Sequence, residues 1–594
     1  MGGGDARALV AAPQEALAGS EQIRVNGPSR IKAWHSMPFG AEVLPNGGVR
    51  FRLWAPGARK VELEIAGRFM PLHASRDGWF EHLVATAGPG TLYRYRIDGE
   101  LSVPDPASRF QPRDVDGPSE VIDQRGYRWS DHAWTGRPWN EAVICELHVG
   151  TFTPEGTYAG VVKKLKQLVD VGITAIELMP LSDFAGKRNW GYDGVLPFAP
   201  DSAYGRPEQL KALVDTAHAA GLMVLLDVVY NHFGPKGNYL PRYAPQFFTE
   251  RHKTPWGAAI DFGNEVVRQY FLHNVLYWLE EYRFDGLRFD AVHAIVDDSP
   301  RHILDEICAS VSAGKHLILE NDANQARFIG PGRYTAQWND DSHHAYHVLA
   351  TGERDGYYLA YADSPARHLA RCLAEGFAYQ GDVSPFSNEA RGEPSAHLPA
   401  SCFVDFLQNH DQIGNRALGE RISLLAQEKS LKALTAIQLL APAPPLLFMG
   451  EEWGCRQPFL FFCDFDGELG EAVRKGRREE FSRFASFKDS IPDPLAESTF
   501  RQCVLDWTKR DATWLAHYKK LLQLRAKAIA PRKFGPGKYR MLGERAFEVK
   551  WDGLTLIANC GDQPLTVKDA PRDAPLWSNG KPGTPWSVTW WISE

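Results

Sequence analysis

Three patterns of apolar and polar positions succeed one another along the chain. From Gly48 to Ile97 they alternate: Val49, Phe51 and Leu53 against Arg50 and Arg52, then Lys60-Val-Glu-Leu-Glu-Ile65 and Thr91-Leu-Tyr-Arg-Tyr-Arg-Ile97, with turn residues between the runs. A period of two marks strands buried on one face, and their close spacing predicts an antiparallel β-sandwich over residues 37–128. Residues 1–36 are rich in Gly and Ala with weak periodicity and read as a flexible arm. In the middle of the chain the period changes. Predominantly apolar runs at 142–149, 173–179, 222–229, 286–292, 316–320, 334–338, 402–408 and 445–449 alternate with amphipathic stretches at 161–171, 207–220, 266–281 and 431–440. Strands without polar alternation suit a parallel sheet covered on both faces. Eight such units predict a (β/α)₈ TIM barrel over residues 129–530, against the alternative of an open doubly wound sheet. A last helix at 512–528 and a Pro/Gly-rich junction precede renewed alternation, which predicts a small β-domain over 531–594.

Composition narrows the function. The 594 residues are 44% hydrophobic and 23% charged, as expected of a multidomain globular protein. A formal net charge of -7 argues against nucleic acid as the main partner, since phosphate binding needs a basic surface. No apolar run is long enough to span a membrane, and the N-terminus lacks the basic and apolar regions of a signal peptide. The eight scattered cysteines form no ligand-like spacing and read as free thiols in a reducing compartment, so the expected location is cytoplasmic. The 18 tryptophans fit large cores or platforms for sugar rings, and composition does not separate these readings.

Four of the expected barrel strands end in polar clusters: Asp227-Val-Val-Tyr-Asn-His232, Gly286-Leu-Arg-Phe-Asp290-Ala-Val-His293, Leu317-Ile-Leu-Glu320-Asn-Asp and Phe406-Leu-Gln-Asn-His410-Asp411. A single carboxylate after an apolar strand is most simply a helix cap or an ion-pair member. Four in succession, at the end of the barrel where active sites lie, point to chemistry. Arg288 and Asp290 stand two apart and so face the same side of one strand, where the guanidinium keeps the carboxylate ionised.

These four segments resemble the signature regions of the α-amylase superfamily, glycoside hydrolase family 13. The resemblance spans the barrel, and the N-terminal segment is similar to the immunoglobulin-like (E-set) sandwich of branching and debranching members. Further segments, Glu146-Leu-His-Val-Gly-Thr-Phe-Thr-Pro-Glu-Gly-Thr-Tyr158, Asn189-Trp-Gly-Tyr-Asp-Gly194, Thr254-Pro-Trp-Gly-Ala-Ala259, Gln337-Trp-Asn-Asp-Asp-Ser-His-His344, Pro458-Phe-Leu-Phe-Phe-Cys-Asp464 and Glu479-Glu-Phe-Ser-Arg-Phe484, resemble its trehalose-releasing hydrolases.

The resemblance implies a retaining glycoside hydrolase that acts on maltooligosyl trehalose and related α-glucans. In it Asp290 is nucleophile, Glu320 acid/base and Asp411 the third carboxylate. It further implies substrate contacts from Tyr192, Arg288, His232, His410 and His293, with Asn339 and Asp340 shaping the trehalose side. Asp227 and Asn231 are expected to support Arg288 rather than touch sugar. No cofactor is required and no metal ligand is assigned. Relatives hold a structural calcium ion near the third-strand motif, and the sequence leaves calcium or magnesium open. A glycogen branching or debranching enzyme is the competing reading, and a non-catalytic glucan-binding protein the remote one.

Overall fold

In a computed structural model, which describes residues 34–254, 257–481 and 491–593, a closed parallel barrel forms from the predominantly apolar runs. Its strands are β1 (Ile144–Leu147), β2 (Ala175–Leu178), β3 (Met223–Val228), β4 (Gly286–Phe289), β5 (His316–Leu319), β6 (Ala336–Trp338), β7 (Phe403–Phe406) and β8 (Pro445–Phe448). All eight expected strands are present, each trimmed at one or both ends. The open-sheet alternative falls because β8 pairs back onto β1, with Leu446 opposite Ile144. All but the last three residues of the expected N-terminal arm, and part of the 254–259 and 479–484 segments, lie outside the described residues.

Alternation along each strand sorts the barrel into an inside and an outside. Ile144, Ala175, Met223, Leu225, Ile318, Ala336, Trp338, Val404, Phe406 and Leu446 point inward and pack together. Their neighbours Leu147, Ile176, Leu178, Val224, Leu226, Leu287, Phe289 and Leu319 point outward into the core shared with the surrounding helices. Those helices include Pro207–Ala219, Glu265–Leu276, Glu428–Leu440 and Ala512–Leu524. The helix expected at 161–171 is instead two, Tyr158–Val162 and Leu165–Val171. It starts early because Thr157 caps it by accepting from Gly160 N, and it stops at Gly172, which takes the left-handed conformation (φ 116). Among the described residues no helix is long and apolar enough to cross a membrane.

Two smaller β-structures flank the barrel. The N-terminal one stacks two antiparallel sheets around Phe51, Leu53, Val61, Leu63, Tyr93 and Tyr95. Arg109, 3% exposed, joins it to the barrel by bonding Ala41 O and Glu281 Oε2. The C-terminal one is a five-stranded antiparallel sheet. Its Trp590 donates to Ala436 O, and the buried Arg525 before it is held by the carbonyls of Leu439, Ala441 and Ala443.

Above the apolar layers, the barrel interior turns polar. Glu146 and Glu177 sit in register on adjacent strands β1 and β2, as do Asp227 and Arg288 on β3 and β4. Glu177 is 1% exposed and neither carboxylate oxygen has a hydrogen-bond partner among the described residues. Burial, and then the charges of Glu146 and Asp227, push its carboxyl well above the ordinary 4.5, so it stays neutral.

Two outcomes test this interior. A Cβ on Gly286 would lie 2.1 Å from His316 O and 2.9 Å from Leu225 Cδ2. Gly286→Ala is therefore expected to cost about 1–3 kcal/mol, read from urea unfolding. An unchanged midpoint would show that β4 and β5 can part. Below about pH 4.5 Glu177 is protonated both folded and unfolded. Above it, only the unfolded chain releases the proton, so this group makes stability fall as pH rises. Glu177→Gln is expected to match the wild type in Tm at low pH and exceed it increasingly towards neutrality. A constant offset across pH would mean that Glu177 is ionised in the fold.

Candidate active site

The polar residues that follow β3, β4 and β5 converge on one guanidinium. The ladder continues past the strand ends, with Asp290 N bonded to Val228 O and Glu320 N to Phe289 O, each at 3.0 Å. Asp290 and Glu320 are thus held by backbone as firmly as the strands themselves. Arg288, wholly buried, places Nη1 2.6 Å from Asp227 Oδ2 and 2.9 Å from Asp290 Oδ1, and Nη2 2.7 Å from Glu320 Oε2. The Trp338 ring lies 4.2 Å from the guanidinium carbon and closes its other side. Such a cation stays charged because three carboxyls replace the water it has lost.

Each carboxyl has its own further partners. Asn231 donates to Asp290 Oδ2 and to Asp290 O, both at 2.9 Å. Ala291 N donates to Glu320 Oε2 at 2.9 Å, from a left-handed residue (φ 40, ψ 50) that a side chain makes costly. Tyr192 donates its hydroxyl to Asp227 Oδ2 at 2.6 Å. Exposure separates the roles open to them. Asp227 is 2% exposed, whereas Asp290 is 13%, Glu320 18% and Asp411 41% exposed. The last three can meet a ligand and Asp227 cannot.

The electrostatics drive Asp290 and Glu320 apart. Burial pushes Asp290 upward, but the Arg288 charge and the Asn231 hydrogen bond outweigh it and hold the carboxyl below the usual aspartate range. Burial also pushes Glu320 up; against Arg288, the charges of Asp290, Asp411 and Asp340 add to the rise and take it well above the glutamate range. One carboxyl is kept ionised and its neighbour protonated, which separates a nucleophile from an acid.

The surrounding residues complete the mouth. His410 is 1% exposed, with ring Nδ1 2.5 Å from Glu146 Oε1 and its backbone N–H donating to Glu146 Oε2. Burial opposes its charge, but Glu146 and then Asp411 raise it to about 9. Its Nε2 is 3.7 Å from Asp411 Oδ1, and Tyr192 stacks on its ring with centroids 5.0 Å apart. His232 directs Nδ1 to Asn231 Oδ1 and Nε2 to Tyr192 O, and burial lowers its pKa below the ordinary histidine value. His293 is exposed on the 3₁₀ turn after Asp290 and accepts from Asp322 N. Asp340 opens the helix Asp340–Thr351, close enough that its charge acts on Glu320.

Two expectations need correction. Asn339, expected on the trehalose side, is 2% exposed; its side-chain oxygen caps that helix and its amide donates to Gly376 O. Its hydrogen-bonding capacity is used within the fold. Asn231 supports Asp290 rather than Arg288; Asp227 does support Arg288. Glu146 and Glu177 were not singled out by sequence reasoning. The available signal was a carboxylate inside an otherwise apolar strand, in Ile-Cys-Glu-Leu and Ala-Ile-Glu-Leu.

Comparison with known proteins agrees with this geometry. Residues 108–252 match the family model of the alpha amylase catalytic domain, and residues 38–108 that of carbohydrate-binding module 48, the isoamylase N-terminal domain. The malto-oligosyltrehalose trehalohydrolase of Deinococcus radiodurans is 45% identical over 498 residues, 82% of each chain. That of Saccharolobus solfataricus is 42% identical over 500 residues, 82% of this chain and 87% of its own. A crystal structure of a chain described as an alpha amylase from Salmonella typhimurium superposes with a TM-score of 0.91 at 45% identity, covering 94% of this chain and all of that one. With the barrel, the paired carboxyls and this extent of similarity together, the chain belongs to the malto-oligosyltrehalose trehalohydrolase family of the α-amylase superfamily.

Proposed function

We propose that this enzyme cleaves the (1→4)-α-glucosidic bond next to the terminal trehalose of maltooligosyl trehalose, releasing trehalose and a maltooligosaccharide with retained configuration. The observation that carries the reading is a single buried guanidinium, Arg288, flanked by one ionised and one protonated carboxyl at the barrel mouth. The relatives' names supply the substrate.

The reaction follows from those two protonation states. The Asp290 carboxylate attacks the anomeric carbon while Glu320 gives its proton to the glycosidic oxygen. Trehalose leaves, and the maltooligosyl unit remains as an ester on Asp290. Esterification removes the Asp290 charge that helped raise Glu320, so Glu320 then holds its proton less tightly. It is now suited to take a proton from water as that water attacks the same carbon and frees Asp290. Two inversions give net retention. Asp411 faces the oxocarbenium-like charge, with the His410 cation between it and Glu146. Tyr192, placed by its bond to Asp227, offers its ring beneath the sugar. All eight cysteines are free, seven of them buried, which suits the cytoplasm as the site of this activity.

Product analysis tests the reading directly. Incubation with maltooligosyl trehalose is expected to yield free trehalose, with little action on maltopentaose or amylopectin. Changed branching of amylopectin without trehalose release would instead make it a branching or debranching enzyme. Glu320→Gln is expected to fold normally, by circular dichroism, and to lose about 10²–10⁴-fold in kcat. Wild-type turnover would remove Glu320 from its role. Asp290→Asn is expected to form no covalent glycosyl-enzyme in quenched mass spectra, and an adduct on another carboxyl would move the nucleophile there.

A further inference from the structure

A second concave site lies on the flank of the molecule and shares no residue with the carboxyl cluster. It is a cleft of about 1080 Å³. One wall comes from the chain just after the N-terminal sandwich, at residues 112–114. The others come from the segments that follow β1 and β2 and from residues 500–508. Its volume is at the upper end of, or beyond, the ~300–1,000 Å³ of an ordinary small-molecule pocket, which suits an oligomer.

Its chemistry narrows the occupant. Trp507 stands half-buried in the wall, and its position is fixed: its indole N–H donates to Phe152 O at 2.7 Å, and the Phe152 ring meets it edge-on with centroids 5.1 Å apart. The Lys164 ammonium lies 4.6 Å from the ring centroid, so a cation and an aromatic face are presented together. Arg113 and Lys187 are exposed on the lining, and among the described residues no carboxylate pairs with either side chain. Asp114, Glu155 and Asp506 line the same space. Glu155 is paired with Lys163 and Asp506 with Lys509, so the lining offers cationic donors and carboxylate acceptors side by side. A neutral polyhydroxylated chain suits both signs, because each hydroxyl both donates and accepts. The apolar faces of its sugar rings suit the indole.

We propose that this cleft is an accessory binding site for α-(1→4)-glucan chains, which holds the far part of a long substrate while its trehalose end is cleaved elsewhere. The proposal rests on the glucan-processing reading given above. A second attachment makes binding of a long chain partly intramolecular and strengthens it without any new contact at the reacting bond. A substrate that fills only the hydrolytic site gains nothing from the cleft.

The test uses the full chain. Isothermal titration with maltoheptaose is expected to give two binding sites per chain in wild type. It is expected to give one in the double variant Arg113→Ala, Lys187→Ala, and one in Trp507→Ala. The double variant changes only exposed side chains, so it decides the matter alone if Trp507→Ala fails to fold. Trehalose release from maltotriosyl trehalose is expected to stay at the wild-type rate in these variants, while kcat/KM for long-chain substrates falls about tenfold. Equal stoichiometry in wild type and double variant would overturn the proposal. So would an equal loss on short and long substrates, since the cleft would then belong to the hydrolytic site. If no substrate yields trehalose, the proposed reaction fails, and the titration still judges the cleft.

Discussion

The charge on Arg288 is the constraint around which the active site is arranged. A guanidinium at the top of a closed barrel has lost all its water, and such a loss is tolerated only when the new partners are close, oppositely charged and well aligned. Asp290 supplies the opposite charge, and Asp227 and Glu320 add close carboxyl oxygens, from three adjacent strands. The arrangement also decides which carboxyls stay reactive. Asp227 is sealed beneath and committed to the cation, while Asp290 and Glu320 reach the mouth. Removing the cation would leave carboxyls facing one another with little water to share, so the reactive pair and the stability of the barrel top depend on the same residue.

Layering explains why the charges sit where they do. The strand residues facing inward below this level are apolar and pack to a solid core, so the polar set is confined to one end. Glu146 and Glu177 mark the boundary between the two regimes. Glu146 crosses it as part of an ion pair with His410, and Glu177 crosses it by staying neutral. Glu146 thus has a histidine as its partner, whereas the adjacent Glu177 carboxyl has no hydrogen-bond partner among the described residues.

Much of this was legible in the sequence. The eight strands could be read because buried parallel strands are mostly apolar on both faces and are separated by amphipathic stretches. Asp290 and Glu320 could be read from the resemblance of their segments to the signature regions of the superfamily, and Arg288 because strand parity puts it on the side of Asp290. Asn339 could not, since an asparagine before a helix serves equally as a cap or a contact, and the choice depends on the distant Gly376 carbonyl. The neutral state of Glu177 was equally hidden, because it follows from neighbours far away in the chain. The cleft beside Trp507 is assembled from segments hundreds of residues apart, and no local pattern announces it.

The backbone bonds of Asp290 and Glu320 to Val228 and Phe289 have one more effect. Both residues are stitched into the ladder of the barrel itself rather than carried on loops that open on their own. This pair of carboxyls therefore has no private melting event: its geometry persists as long as the barrel is closed and disappears when the barrel opens. Warming is therefore expected to loosen the surrounding loops before it separates these two carboxyls.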